Sequence, residues 1–218
     1  MEPVTEQALS RAVEVLRSGG IVAFPTETYY GLAVDPFNTE ALEHLFLLKA
    51  RPVVKPVLAL VREQAQISQL AAHIPALYSW LMQRFWPGAV TLIFPARSSL
   101  PWQLTAHTQG IGLRQSSHPV AARLLAAFGG PLTATSANSS GREPAINAQQ
   151  AASLFPGSTD NRGFVLDGGE TPGGAGSTVV ALRDGALTCL RDGKIPFADV
   201  QRAAEVFLSS GRVLHRVR

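Results

Sequence analysis

Residues 19–60 read GGIVAFPTETYYGLAVDPFNTEALEHLFLLKARPVVKPVLAL. Ile21, Val22, Ala23 and Phe24 form an unbroken apolar run, the pattern of a buried strand. Pro25 stops it. Thr26, Glu27, Thr28, Tyr29 and Tyr30 follow as a polar, aromatic turn that Gly31 closes. Asn38 caps a helix in which Ala41, Leu42, Leu45, Phe46 and Leu48 recur at helical spacing. That helix runs out at the cations Lys49, Arg51 and Lys55, and Pro52 and Pro56 break it. A hydroxyl-rich turn and a basic cluster thus end neighbouring core elements. In open α/β sheets, ligands bind at such strand ends.

Outward from this stretch, Thr5 caps a first helix that buries Ala8, Leu9, Ala12, Val13, Val15 and Leu16 and stops at Gly19-Gly20. Downstream, residues 57–61 predict a strand, 63–72 and 75–85 helices, and 89–94 a strand. Residues 98–110 are polar and irregular. A short strand over 111–114 ends in Arg114. His118-Pro119 opens a helix to Phe128, which Gly129-Gly130 stops. Residues 132–135 predict a strand running into Ser136-Ala137-Asn138, and Asn147 caps a helix to about residue 154. Strands follow over 164–167, 177–182 and 186–191, the last two a hairpin around Arg183-Asp184-Gly185. Residues 196–208 predict a closing helix, followed by a basic tail. Strands and helices are mixed, with neighbouring strands late in the chain. The expected fold class is α/β (α+β-like), a large twisted mixed sheet with helices packed on it.

The bulk properties bound the function. With 218 residues, 46% hydrophobic and 16% charged, the chain can bury one sizeable core. No linker composition divides it, so one domain over 1–218 is expected, with a core at about 8–208. The net charge of +3 is modest and leaves room for weak nucleic-acid affinity without arguing for it. Cys189 is the single cysteine, so no internal disulfide can form. The N-terminus is acidic and lacks the apolar run of a signal peptide, and no stretch approaches a membrane span. A cytoplasmic location is the default expectation.

Each polar candidate has an ordinary reading beside a functional one. Lys49, Arg51 and Lys55 suit a solvated helix C-terminus as well as a phosphate. Arg114 suits a surface ion pair as well as a ligand carboxylate. Thr28, Ser136 and Ser177 suit turns and strand ends, and Arg191 suits a turn after a strand. The glycine-rich loop around Gly168-Gly169 and Gly173-Gly174-Ala175-Gly176 lacks the Lys-Ser/Thr ending of a P-loop. It reads equally as a flexible loop or as close backbone approach to a ligand. The five histidines show no metal-ligand spacing.

PTETYYGL followed by KARPVVKP resembles the signature of the YrdC-like family, the threonylcarbamoyl-AMP synthases. GLRQSSHPVA, the SANSSG run from Ser136 to Gly141, GSTVV and Leu190-Arg191-Asp192-Gly193 match in the family's order. Together they span roughly Val13 to Gly193. The resemblance implies a concave basic cleft and an ATP-dependent nucleotidyltransferase. Its substrates would be L-threonine, bicarbonate (or CO2) and ATP, with Mg2+ on the phosphates. Its products would be threonylcarbamoyl-AMP and pyrophosphate. The first would pass to a tRNA threonylcarbamoyl transferase complex that modifies the adenosine beside the anticodon. By the same resemblance, Lys49, Arg51 and Lys55 line the phosphates. Thr28, Arg114, Ser136 and Ser177 hold threonine, and Arg51, Lys55, Asn138 and Arg191 hold ATP.

The chain departs from the family at Leu60, where many members have His, at Lys55, where many have Asn, and at Ile146, where Thr is common. The loop Gly141-Arg142-Glu143-Pro144 is also atypical. These departures touch fine contacts and leave the reaction class in place. The alternative class is an RNA- or tRNA-binding module without catalysis.

Overall fold

The computed structural model of the protein describes residues 1–50, 56–155 and 162–209. In chain order its elements are β1 Glu2–Pro3, α1 Glu6–Arg17, β2 Ile21–Pro25, β3 Tyr30–Ala33, α2 Thr39–Lys49 and β4 Ala59–Leu60. Then come α3 Gln64–Leu70, α4 Ala76–Phe85, β5 Val90–Pro95, α5 Trp102–Thr105, β6 Gly110–Arg114 and α6 Pro119–Phe128. The chain goes on through β7 Leu132–Thr133, β8 Thr135–Ser136, α7 Ala148–Ala152, β9 Gly163–Asp167, β10 Thr178–Arg183, β11 Ala186–Arg191 and α8 Phe197–Ser209. Two mixed sheets form, in the orders β1-β9-β2-β3-β8 and β11-β10-β5-β6-β4-β7. In the first, β2 runs parallel to β9 and antiparallel to β3, and in the second β10 runs parallel to β5 while β5 and β6 are antiparallel. The expected mixed sheet with packed helices is therefore present, divided into two.

The caps act as their residue types dictate. The side chains of Thr5, Asn38 and Asn147 each accept a hydrogen bond from the backbone N–H three residues on. Gly129 takes the left-handed conformation, φ 81°, that ends α6.

Alternation along two strands positions the site. On β2, Ile21 and Ala23 join one core cluster while Val22 and Phe24 join another. The first sheet is thus covered on both faces, with α1 and α6 on one side and α2 and α7 on the other. On β5, Val90, Leu92 and Phe94 pack into the core with Leu77, Tyr78 and Leu81 of α4. Thr91 and Ile93, on the opposite face, line a hollow instead. One face of the second sheet therefore lines a cavity.

The two sheets meet where the chain crosses from β7 to β8. The predicted strand over 132–135 is really two short strands in different sheets, with Ala134 between them donating its N–H to Leu58. Three further corrections apply to the sequence-based elements. Tyr30–Ala33 is a strand, with all four residues buried, so no alternation marks it. The irregular stretch over 98–110 contains α5, and β1 precedes the first helix. The predicted basic tail lies outside the described residues, apart from the end of α8.

Tyr78 links core packing to alkaline stability. Its ring meets Phe94 edge-on, with centroids 5.0 Å apart, and its hydroxyl donates to the Ile93 carbonyl at 3.0 Å. Burial pushes the phenol up to about 12. A raised folded-state value means that the folded chain keeps the proton while the unfolded chain loses it. The contribution is therefore complete below about pH 10 and is lost as pH rises towards 12. Tyr78→Phe should cost about 1 kcal/mol at neutral pH. It should also flatten the loss of stability between pH 10 and 12, read by urea melts across that range.

Candidate functional site

The site forms at the junction of the two sheets. The β2–β3 turn comes first. Thr26 uses its hydroxyl to close it, donating to the Tyr29 carbonyl at 2.7 Å and accepting the Thr28 N–H at 3.2 Å. This fixes the Thr28 hydroxyl 3.1 Å from that of Thr26. The glycine-rich loop holds the turn from outside. Gly173 donates its N–H to the Thr28 carbonyl at 2.8 Å, and Tyr30 donates its hydroxyl to the Gly169 carbonyl at 2.7 Å. Gly173 has φ 63°, and a side chain there would press on Ile146. The loop's close backbone approach is therefore, in part, to the protein's own turn.

Arg114 ends β6 and is 3% exposed. Its Nη1 pairs with Glu27 Oε1, and the Ser116 hydroxyl donates to Glu27 Oε2. Its Nε is buried with no hydrogen-bond partner among the described residues. Arg191 ends β11. Its Nε donates to the Ser177 carbonyl at 2.9 Å and its Nη2 to the Ser177 hydroxyl at 3.0 Å. That hydroxyl also lies 2.8 Å from the hydroxyl of Thr91. A Cβ on Gly176 would come within 3.2 Å of the guanidinium, so glycine there lets Arg191 lie along the backbone.

The electrostatics follow from burial. Burial, and then the charge of Arg191, lower Arg114 from the ordinary arginine range to about 10. Burial also lowers Arg191, partly offset by Tyr29. Two guanidiniums on one cavity, with Arg191 adding to the cost of the buried Arg114, make a place that favours an anion.

Thr28, Arg114, Ser136, Ser177 and Arg191 all line one cavity of about 530 Å³. This is within the usual range for small-ligand sites. A larger hollow of about 1370 Å³ continues from it, sharing Pro56, Ile93, Gly112 and Leu190. Asn138 stands behind Ser136, whose hydroxyl donates to its Oδ1 at 2.7 Å.

Lys49, for which the resemblance implies a place at the phosphates, ends α2 beside the Ser136–Asn138 segment. It is 2% exposed, and its ammonium donates to the Ser136 carbonyl, to the Asn138 carbonyl at 2.6 Å and to Asn138 Oδ1 at 3.0 Å. It supports the Ser136–Asn138 segment from beneath. Arg51 and Lys55, expected at the phosphates, lie outside the described residues. Leu60 is fully buried in the core between β6 and β7. The departure there is a core residue, not a cavity contact.

Sequence reasoning missed Glu27 and Thr91. The signal for Glu27 was a lone carboxylate inside a hydroxyl-rich turn, and for Thr91 a lone hydroxyl in an apolar strand. Among the described residues, no group of three or more His, Cys, Asp or Glu side chains could hold a metal ion. Among the same residues, no helix is long and apolar enough to cross a membrane.

The fold and the site together define an α/β cleft protein, with hydroxyls and two arginines gathered where its sheets meet. A model of the Sua5/YciO/YrdC family, described as "Telomere recombination", matches residues 14–193. The chain belongs to that family. It is 33% identical over 201 residues to a threonylcarbamoyl-AMP synthase of Pyrococcus abyssi, covering 92% of this chain and 58% of that protein. It is 36% identical over 188 residues to a threonylcarbamoyl-AMP synthase of Bacillus subtilis, covering 86% and 54%. The crystal structure of P. abyssi Sua5 complexed with L-threonine is similar with a TM-score of 0.86 at 33% identity, covering 93% of this chain and 58% of that one. The chain thus spans a little over half the length of these relatives.

Proposed function

We propose that the chain is a nucleotidyltransferase that makes threonylcarbamoyl-AMP and pyrophosphate from L-threonine, bicarbonate (or CO2) and ATP. The observation that carries this reading is that the buried Arg114 guanidinium and Arg191 line one cavity with Thr28, Ser136 and Ser177. An amino acid offers a carboxylate to such a guanidinium, and threonine adds a hydroxyl for the alcohol side chains. The synthase names of the relatives, and the threonine in the P. abyssi structure, support the same assignment.

The chemistry asks for position more than for a protein nucleophile. The threonine amine bonds to the carbon of CO2 and loses a proton, giving a carbamate; from bicarbonate the same C–N bond forms as a C–O bond breaks and water leaves. A carbamate oxygen then attacks the α-phosphorus in line, and the bond to the pyrophosphate oxygen breaks. In this reading Arg114 holds the carboxylate while Thr28, Ser136 and Ser177 order the amino acid. Asn138 and Arg191 face the nucleotide, with Arg51 and Lys55 at its phosphates. Mg2+ would enter on the triphosphate and offset its charge. The product would serve a tRNA threonylcarbamoyl transferase complex.

The test is pyrophosphate release. It should require threonine, bicarbonate, ATP and Mg2+ together. Release independent of threonine would sink the reading, and no release would sink it and favour a module that only binds RNA. The amino-acid series sharpens the test. Serine keeps both polar handles and lacks a methyl, so kcat/KM should fall ~10–200-fold. Valine keeps the shape but leaves buried hydroxyl partners unpaired, so it should fall further. Valine outperforming serine would show that the hydroxyl contacts are absent.

A further inference from the structure

We propose that Glu27 is a positioning residue for the substrate's carboxylate: it clamps Arg114 and Ser116 so that the guanidinium is held at the cavity wall for the ligand. The inference rests on the amino-acid reading above. Glu27 uses both carboxylate oxygens, one on Arg114 Nη1 and one on the Ser116 hydroxyl. Its side chain is 12% exposed, so the ion pair is little screened by water. Its own backbone is anchored: Lys194 donates its ammonium to the Glu27 carbonyl at 2.8 Å, and Gly173 holds the next carbonyl. The clamp is therefore built on a fixed turn. That turn also carries Thr28, so one segment sets both a hydroxyl and the guanidinium at the cavity.

The physical need is clear from the charges. Arg114 is buried, and the charge of Arg191 adds to the cost of keeping it ionised. A counter-charge on Nη1 keeps Arg114 ionised and stops it from turning away from the cavity it lines. The contrary view is that Glu27 occupies the guanidinium in place of the ligand and must be displaced. The two views differ in sign. A clamp makes threonine bind better, and a plug makes it bind worse.

Calorimetric titration of L-threonine and, separately, of ATP decides between them, using the unmodified chain, Glu27→Gln and Ser116→Ala. Glu27→Gln keeps the shape and removes the charge. It should weaken threonine ~10–100-fold and change ATP less than ~3-fold. Ser116→Ala removes the second clamp, together with the hydroxyl's bond from the His118 N–H at 3.2 Å, and should weaken threonine ~3–10-fold. In pyrophosphate release, the threonine KM should rise in both variants while kcat at saturating threonine moves less than ~3-fold. A merely structural role would weaken both ligands alike. Unchanged or tighter threonine binding in Glu27→Gln overturns the clamp and leaves the functional reading standing. Should Glu27→Gln fail to fold, unchanged binding by Ser116→Ala overturns it just as well. No threonine binding by the unmodified chain overturns the functional reading and the clamp with it.

Discussion

Arg114→Ala should lower kcat/KM for threonine by ~10²–10³-fold, with the KM for ATP changed less than ~3-fold. The carboxylate loses a buried, charge-assisted donor, and Arg191, the other guanidinium on the cavity, is engaged with Ser177. The same change leaves Glu27 buried without its cation, which costs about 3–5 kcal/mol. For a chain of this length, that lowers the melting temperature by ~6–20 °C. The two effects separate in a double variant. Arg114→Met combined with Glu27→Gln removes the stranded charge, so stability should return while threonine use does not. A double variant that also regains threonine turnover would remove Arg114 from the site. A pH dependence follows from the same residue. Arg114 is lowered to about 10, so it stays charged below that value and loses its proton as pH rises through it. The threonine KM of the unmodified chain should therefore climb above about pH 10, and that of Arg114→Lys should follow a different midpoint.

Local chemistry made much of this architecture legible. Thr5, Asn38 and Asn147 announce their helices because an N-cap needs only an oxygen within reach of nearby N–H groups. β3 stayed hidden because it is buried on both faces and contains Gly31, so neither alternation nor propensity marks it. The split at Ala134 was unreadable for another reason. Leu132 to Ser136 looks like one strand, and only the packing of two sheets decides where it changes partners.

The site shows the same division. Its hydroxyls and arginines could be picked out through motif order, and five of them share a cavity. The pairings could not be read. Glu27 and Arg114 are 87 residues apart in the chain, and Lys49 and Asn138 are 89 apart. No spacing rule reaches that far. A carboxylate in a turn and a lysine at a helix end each carry several ordinary meanings, and tertiary contact chooses among them.

Lys49 is where that choice has the second large consequence. A lysine on a phosphate and a lysine beneath a loop predict different mutants. The ammonium has three protons and three acceptors on the Ser136–Asn138 segment. The backbone adds a further tie, because Ser140 donates its N–H to the Lys49 carbonyl at 2.8 Å. Lys49→Met keeps the length and apolar stem but leaves those acceptors without their donor. Unmet buried acceptors cost about 1–3 kcal/mol each, and partial rearrangement brings the expected total to about 2–4 kcal/mol. The melting temperature should fall by ~4–16 °C. Because Ser136 and Asn138 face different ligands in the proposed reaction, their loosening should weaken threonine and ATP together. Turnover should fall ~10²-fold, as misplacement of a preorganised site does. Arg114→Ala, by contrast, should spare ATP. Lys49→Arg keeps the charge but has no room for a planar fork among three converging oxygens, so it should not rescue. The deciding result is a Lys49→Met protein that melts where the unmodified chain does and has lost only kcat. That protein would place the ammonium on the ligand's phosphates, as the family resemblance implies, and overturn its role beneath the loop.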